Sequence, residues 1–212
     1  MKPILFSQPM VKAILAGNKT QTRRIVKIKS LIESPDRFKY CGNSNDFDVP
    51  HKAIPYDDRI YYAWELTNSN ESMWVIDGYK KGDILWVRET WCNDPRGSES
   101  GNDNCYYYRA DMIDLTIWKG SWKPSIFMPR EAARIFLEVT DIRVERLQNI
   151  SEEDARAEGT QEFYGKKPYR TNKERYIDLW NSINGKKYPC SSNPWVWVIS
   201  FRRVDDCNVT KL

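Results

Sequence analysis

Lys19 and Thr22 stand three residues apart in the run Gly17-Asn18-Lys19-Thr20-Gln21-Thr22-Arg23-Arg24, which sets an amine, hydroxyls and two guanidiniums side by side. A threonine hydroxyl is a weak nucleophile until a base takes its proton. A lysine desolvated beside Arg23 and Arg24 loses proton affinity and can be that base. The arginines suit a phosphate. A solvated polar loop has the same composition, so spacing alone leaves both readings open. Glu158 is the third residue of interest. It lies at the end of the run Ser151-Glu152-Glu153-Asp154-Ala155-Arg156-Ala157-Glu158-Gly159, where a carboxylate meets the negative end of a helix at a cost of roughly 0.3–1 kcal/mol. Local helix stability does not explain its placement.

The elements that position these residues can be read from caps and periodicity. Ser7 as a cap, Pro9 as an early helical residue and apolar positions at helical spacing predict a short helix over 8–16 that stops at Gly17. The Lys19 to Arg24 segment then leaves a rigid helix end as a turn or loop. Ser151 opens a second short helix with a capping-box pattern, and Gly159 closes it. Thr171-Asn172-Lys173-Glu174 opens a third, which runs to about 183 with Tyr176, Ile177, Trp180 and Ile183 on one stripe.

The rest of the chain reads as strands. Segments 60–66 and 73–76 are rich in aromatic and β-branched residues and are expected to pair as a hairpin. Residues 84–91 read as one continuous strand with Trp86, Arg88 and Thr90 on one face and Glu89 and Trp91 on the other. Arg88 and Glu89 fit either a cleft rim or an ion pair with a neighbouring strand, because burying either alone is expensive. Residues 105–111, which include Tyr108, form another expected strand, followed by a proline-bounded stretch with Trp118 and Trp122. Aromatic rings interleaved with cations can stack a nucleobase, or they can fill a core. With nine tryptophans, most must be core, so one or two of Trp86, Trp91, Trp118 and Trp122 are expected to line a site. A long strand over 133–148 and an apolar strand over 193–202 complete the pattern.

Composition bounds the class. The 212 residues are 41% hydrophobic, with nine Trp, twelve Tyr and seven Phe, a folded rather than disordered composition. One domain is expected over 1–212, with an insertion at about 29–79 and a variable loop at about 93–104. A net charge of +4 tolerates a polyanionic partner without demanding one. The five cysteines, Cys41, Cys92, Cys105, Cys190 and Cys207, contain no C-x-x-C pair, which argues against a zinc knuckle or a disulfide framework and for a reducing cytoplasm. No stretch reads as a signal peptide or a membrane span. The single histidine, His51, has no carboxylate or cysteine at ligand spacing, so neither a metal nor another cofactor is expected.

On these motifs the chain resembles the ASCH domain family of the PUA-like superfamily, in the longer form often encoded by phages and prophages. The resemblance rests on Gly17-x-Lys19-Thr20-x-Thr22-x-Arg24, on Gly82-Asp83-Ile84-Leu85-x-Val87, on the segment from Ile150 to Gly159 and on the closing strand from Trp195 to Phe201. It implies an α+β fold: a small, mostly antiparallel β-barrel with about three peripheral helices and a cleft between the barrel and the first helix. Bacterial members similar in motif act as N4-acetylcytidine amidohydrolases. By that likeness Lys19, Thr22 and Glu158 are catalytic: Thr22 attacks an amide carbonyl, Lys19 eases ionisation of its hydroxyl, and Glu158 delivers the proton to the leaving amine. Arg24 and Arg23 would bind substrate, with Trp86, Arg88, Glu89, Tyr108 and Trp122 as further binding candidates. The implied partner is a modified nucleoside or single-stranded RNA. Other relatives are credited with binding or cutting RNA, so a non-catalytic RNA-binding module and a metal-independent ribonuclease remain as alternatives. Those amidohydrolases are about half this length and lack the two inserts.

Overall fold

The strand that carries Thr22 lies at one edge of a five-stranded sheet, and the N-terminal strand lies at the other. The computed structural model describes residues 1–28, 31–32, 35–43, 61–66, 72–76, 78–93, 105–112, 120–160 and 171–204. In chain order the elements are β1 (Lys2–Leu5), α1 (Gln8–Leu15), β2 (Gln21–Ile25), β3 (Phe38–Asn43), β4 (Tyr61–Leu66), β5 (Ser72–Ile76), β6 (Ile84–Arg88), β7 (Trp91–Asn93), β8 (Tyr106–Tyr108), β9 (Phe136–Arg146), α2 (Glu152–Ala157), α3 (Asn172–Asn184) and β10 (Trp195–Val204). The main sheet has the order β1-β6-β9-β10-β2. Only the β1–β6 pair is parallel among its neighbours. The architecture is therefore a mixed α+β fold.

Both faces of the sheet are covered, and β10 shows why. Trp195, Trp197, Ile199 and Phe201 alternate with Val196 and Val198, all buried. The first set joins a core with Val11 and Ile14 of α1 and with Tyr62 and Trp64 of β4. The second set packs with Tyr176 and Trp180 of α3. A strand buried on both sides reads as a continuous apolar run, as this one does. Strands β4 and β5 pair antiparallel, as their composition predicts. The Tyr62 ring meets Trp197 edge-on at 4.6 Å between centroids, so the 29–79 segment contributes side chains to the main core.

The closed barrel expected from the family resemblance is absent among the described residues. No backbone pairing joins β1 to β2; Arg24 Nη2 on β2 instead donates to the Leu5 carbonyl on β1 at 2.7 Å. The free edge of β1 is blocked chemically. Pro3 has no N–H to donate, and its carbonyl accepts from the Tyr79 hydroxyl at 3.1 Å. The sheet thus curls until its edges face each other and leaves a seam between them.

Three local expectations need correction. The Lys19 to Arg24 segment is no loop: from Gln21 it is strand β2, paired with β10 in the register Thr22↔Ile199, Arg23↔Val198, Arg24↔Trp197. The strand expected over 84–91 breaks after Arg88, because Glu89 is buried on Arg134 and the carbonyl of Thr90 accepts from Arg109 N. The strand expected over 105–111 stops at Tyr108 and becomes a 3-10 turn, Arg109–Asp111. Cys41, Cys92, Cys105 and Cys190 are free thiols. His51, Trp118, Cys207 and the loop over 94–104 lie outside the described residues. Among the described residues no helix is long and apolar enough to cross a membrane.

Candidate functional site

Two short helices end against each other at the site. Gly17, at φ +75°, turns the chain out of α1, and the amides of Asn18 and Lys19 both donate to the Ala13 carbonyl. Ser151 Oγ accepts from Asp154 N to cap α2, and Gly159, at φ +78°, ends it. A backbone bridge then links Lys19 to Glu158, and Thr20 N donates to the Ala157 carbonyl at 2.8 Å. The sequence that stops each helix therefore sets Lys19 against Glu158.

Lys19 is 2% exposed and Glu158 3%. Lys19 Nζ donates to the Gln21 carbonyl at 2.8 Å, the Glu158 carbonyl at 2.9 Å and Glu158 Oε2 at 2.7 Å. Burial pushes the amine below its ordinary range; the Glu158 carboxylate works against that shift, while Arg24 and Arg23 add to it. Carbonyls cannot donate, so two of the three directions around Nζ hold an N–H in either protonation state. The third faces Glu158, and only along it can the amine gain or lose its labile proton.

Arg23 fixes the other side of that carboxylate. Its Nε and Nη2 donate to Glu145 Oε1 at 2.8 and 2.6 Å, Nη2 also to Asp154 Oδ2 at 2.8 Å, and Nη1 to Gln21 Oε1 at 2.8 Å and Glu158 Oε1 at 3.2 Å. All five guanidinium hydrogens are engaged. Arg23 therefore has no donor left for a substrate and acts as a positioning residue for Glu158. Burial raises the Asp154 carboxyl's proton affinity, but Arg23 and Arg143 outweigh it and hold the group below the usual range.

The seam between β1 and β2 opens as a cavity of about 390 Å³, lined among others by Thr22, Arg24, Lys27, Tyr79, Glu158 and Tyr176. Thr22 is 3% exposed, and among the described residues its hydroxyl makes no hydrogen bond. Strand alternation and register put Thr22 and Arg24 on the α1 face and Arg23 on the α3 face. Accordingly Arg24 lies over Phe6 at 5.5 Å and Arg23 over Tyr176 at 5.7 Å. Lys19 is not among the residues lining the cavity; Glu158 stands between it and the open space.

The remaining binding candidates lie elsewhere. Trp86 packs with Phe136, and the Arg88 guanidinium covers its ring at 4.9 Å while Nε donates to the Met128 carbonyl. Glu89 accepts Nε and Nη2 of Arg134 at 2.9 and 3.1 Å; burial pushes its carboxyl up, and Arg134 pulls against that. Tyr108, its hydroxyl bonded to the Ala132 carbonyl and its ring beneath Arg134, is pushed up to about 12 by burial, with Arg134 opposing. Trp122 is half-buried near Lys123. None of these five lines the cavity with Thr22. Reasoning from sequence missed Lys27, Tyr79, Tyr176 and Trp180 as lining residues; the last two were visible only as an apolar helix stripe. A wider depression of about 830 Å³ beside α3 includes Lys173, Lys186 and Cys190 but none of the residues of the Lys19 network. Among the described residues no cluster of His, Cys, Asp or Glu could hold a metal ion.

No family model matches the chain, and no curated protein does. Two solved chains match. One is protein EF3133 from Enterococcus faecalis V583, of family DUF984, with 11% identity, 97% of this chain and 77% of that chain covered, and a TM-score of 0.41. A likeness of that size defines neither a shared fold nor a shared activity.

Proposed function

We propose that the chain is an ASCH-type, PUA-like hydrolase that releases the acyl group of N4-acylated cytidine-type substrates, with Thr22 as nucleophile. One observation carries the reading: Glu158 faces both the buried amine of Lys19 and the cavity in which the Thr22 hydroxyl has no hydrogen-bond partner among the described residues. Thr22 Oγ1 bonds to the acyl carbon as its proton passes to Glu158 and on to a neutral Lys19. The carbon–nitrogen bond then breaks, and the same pair returns the proton to the departing amine. Water cleaves the threonyl ester, releasing the carboxylic acid and restoring the hydroxyl. RNA binding without chemistry, or metal-independent RNA cleavage, needs no hydroxyl so placed.

Thr22→Ala is expected to abolish acetate release from N4-acetylcytidine or its nucleotide, with an unchanged circular-dichroism melt. If the unaltered protein leaves both compounds intact, the assignment fails.

The route through Lys19 also fixes a pH dependence. The amine must start neutral, and burial lowers its proton affinity from the ordinary 10.5. Turnover is therefore expected to be low in acid, to rise as pH climbs through a midpoint below 10.5, and to level off above it. Lys19→Arg keeps the charge but never gives up its proton, so it should lose activity at every pH. A fully active Lys19→Arg enzyme would leave Lys19 a purely electrostatic role.

A further inference from the structure

Adjacent arginines in β2 differ sharply in how they are used. All five hydrogens of Arg23 are taken by protein acceptors. Arg24 donates one, to the Leu5 carbonyl, and among the described residues it has no carboxylate partner. Lys27, three residues on, has no hydrogen bond or ion pair among the described residues. Both line the cavity, where the charged lining is Arg23, Arg24, Lys27 and a single carboxylate, Glu158. That carboxylate is already held by Lys19 and Arg23. Among the described residues, the cavity therefore carries surplus positive charge without a neutralising partner. Arg24 is also on the same face of β2 as Thr22, two residues and about 7 Å further along, so nucleophile and guanidinium address one ligand from neighbouring points.

We propose that Arg24 and Lys27 form a phosphate subsite, so that the ligand of this cavity is a nucleotide, free or within an RNA strand, rather than a bare nucleoside. The inference rests on the reading that a nucleoside occupies the cavity, and it adds the group that a nucleoside lacks. A guanidinium with four donors unused among the described residues, and an ammonium lining the same cavity, match the acceptor oxygens of a phosphomonoester or phosphodiester. The ring of Tyr79, its hydroxyl fixed on Pro3, offers a flat apolar wall beside them.

Calorimetric titration of the intact protein with cytidine, cytidine 5′-monophosphate, cytidine 3′-monophosphate and a short single-stranded cytidine-containing RNA tests this directly. None of these ligands carries an acyl group, so the result does not depend on hydrolysis. At least one phosphate-bearing ligand is expected to bind about tenfold or more tightly than cytidine, a charge-assisted contact's worth, and the advantage should shrink with added salt. In Arg24→Gln/Lys27→Gln the ratio should collapse to about one, whereas Lys12→Gln, on the exposed face of α1, should keep it. Preference for the mononucleotides identifies a terminal phosphate, and preference for the strand identifies a diester; either supports the subsite. Equal affinity for cytidine and every phosphate-bearing ligand overturns it, as does a ratio that survives the double substitution or a lack of binding by all four. A phosphate preference without acyl release would sink the hydrolase reading and leave this inference standing. Release from the free nucleoside with no phosphate preference would do the reverse.

Discussion

Glu158→Ala is expected to destabilise the protein by about 3–5 kcal/mol, a loss visible as a lower midpoint in urea with little change in slope. The carboxylate is 3% exposed, and it accepts from Lys19 Nζ at 2.7 Å and Arg23 Nη1 at 3.2 Å. Removing it strands a buried amine with two carbonyl partners and no counter-charge. Arg23 keeps Glu145 and Asp154, so the cost falls chiefly on Lys19. The unpaired amine can also shed its proton, which limits the loss at high pH; the destabilisation should therefore be largest in acid and shrink as pH rises. A second substitution separates lost charge from lost packing. Lys19→Met/Glu158→Leu replaces both ions with apolar chains and should recover most of the stability, because a buried pair roughly offsets its own desolvation. Activity should not return with it. If Glu158→Ala melts like the unaltered protein, the carboxylate is not buried in an ion pair with Lys19, and the proton route through that pair falls.

That network explains why part of the site was legible in the chain and part was not. Glu158 stood out because a carboxylate at a helix C-terminus lacks a local reason, and the structure supplies a tertiary one in Lys19 and Arg23. Capping chemistry is local, so Ser151, Gly17 and Gly159 marked both helix ends correctly. Pairing is not local. Nothing in the residues 17–24 distinguishes a polar loop from a strand until β10 is beside it, and only the register with Val198 and Trp197 sends Arg23 and Arg24 to opposite faces. Their roles diverge for that reason alone. Trp86 and Glu89 failed as cavity residues for a related cause. Aromatic and charged residues at a strand end look alike whether they meet a ligand or Arg134, and the partner lies 45 residues away in sequence. The α3 stripe was read as apolar, yet Tyr176 and Trp180 on it serve the core and the cavity together, while Ile183 is exposed.

Gly159 is the position where fold and site are most tightly coupled, and Gly159→Ala is expected to cost roughly 3 kcal/mol from two separate causes. The first is conformational. At φ +78° an alanine is forced into the left-handed region, at about 1–2 kcal/mol. The second is steric. A Cβ there would lie 2.7 Å from Ala13 Cβ and 2.9 Å from Lys19 Cβ, both attached to backbone that cannot swing aside like a long side chain. Relief requires α1, the end of α2 or the Lys19 segment to move by several tenths of an ångström. Any of these shifts pulls the Lys19 amine from Glu158, where a 2.7 Å contact leaves little slack. The substitution should therefore lower both thermal stability and turnover. Gly17→Ala supplies the comparison: its φ of +75° is similar, but nothing stands within 4 Å of the added methyl. It should pay only the conformational part and keep most of its activity. Equal losses in the two variants would mean that backbone strain alone governs both, and that the Ala13 and Lys19 contacts do not hold the two helix ends together.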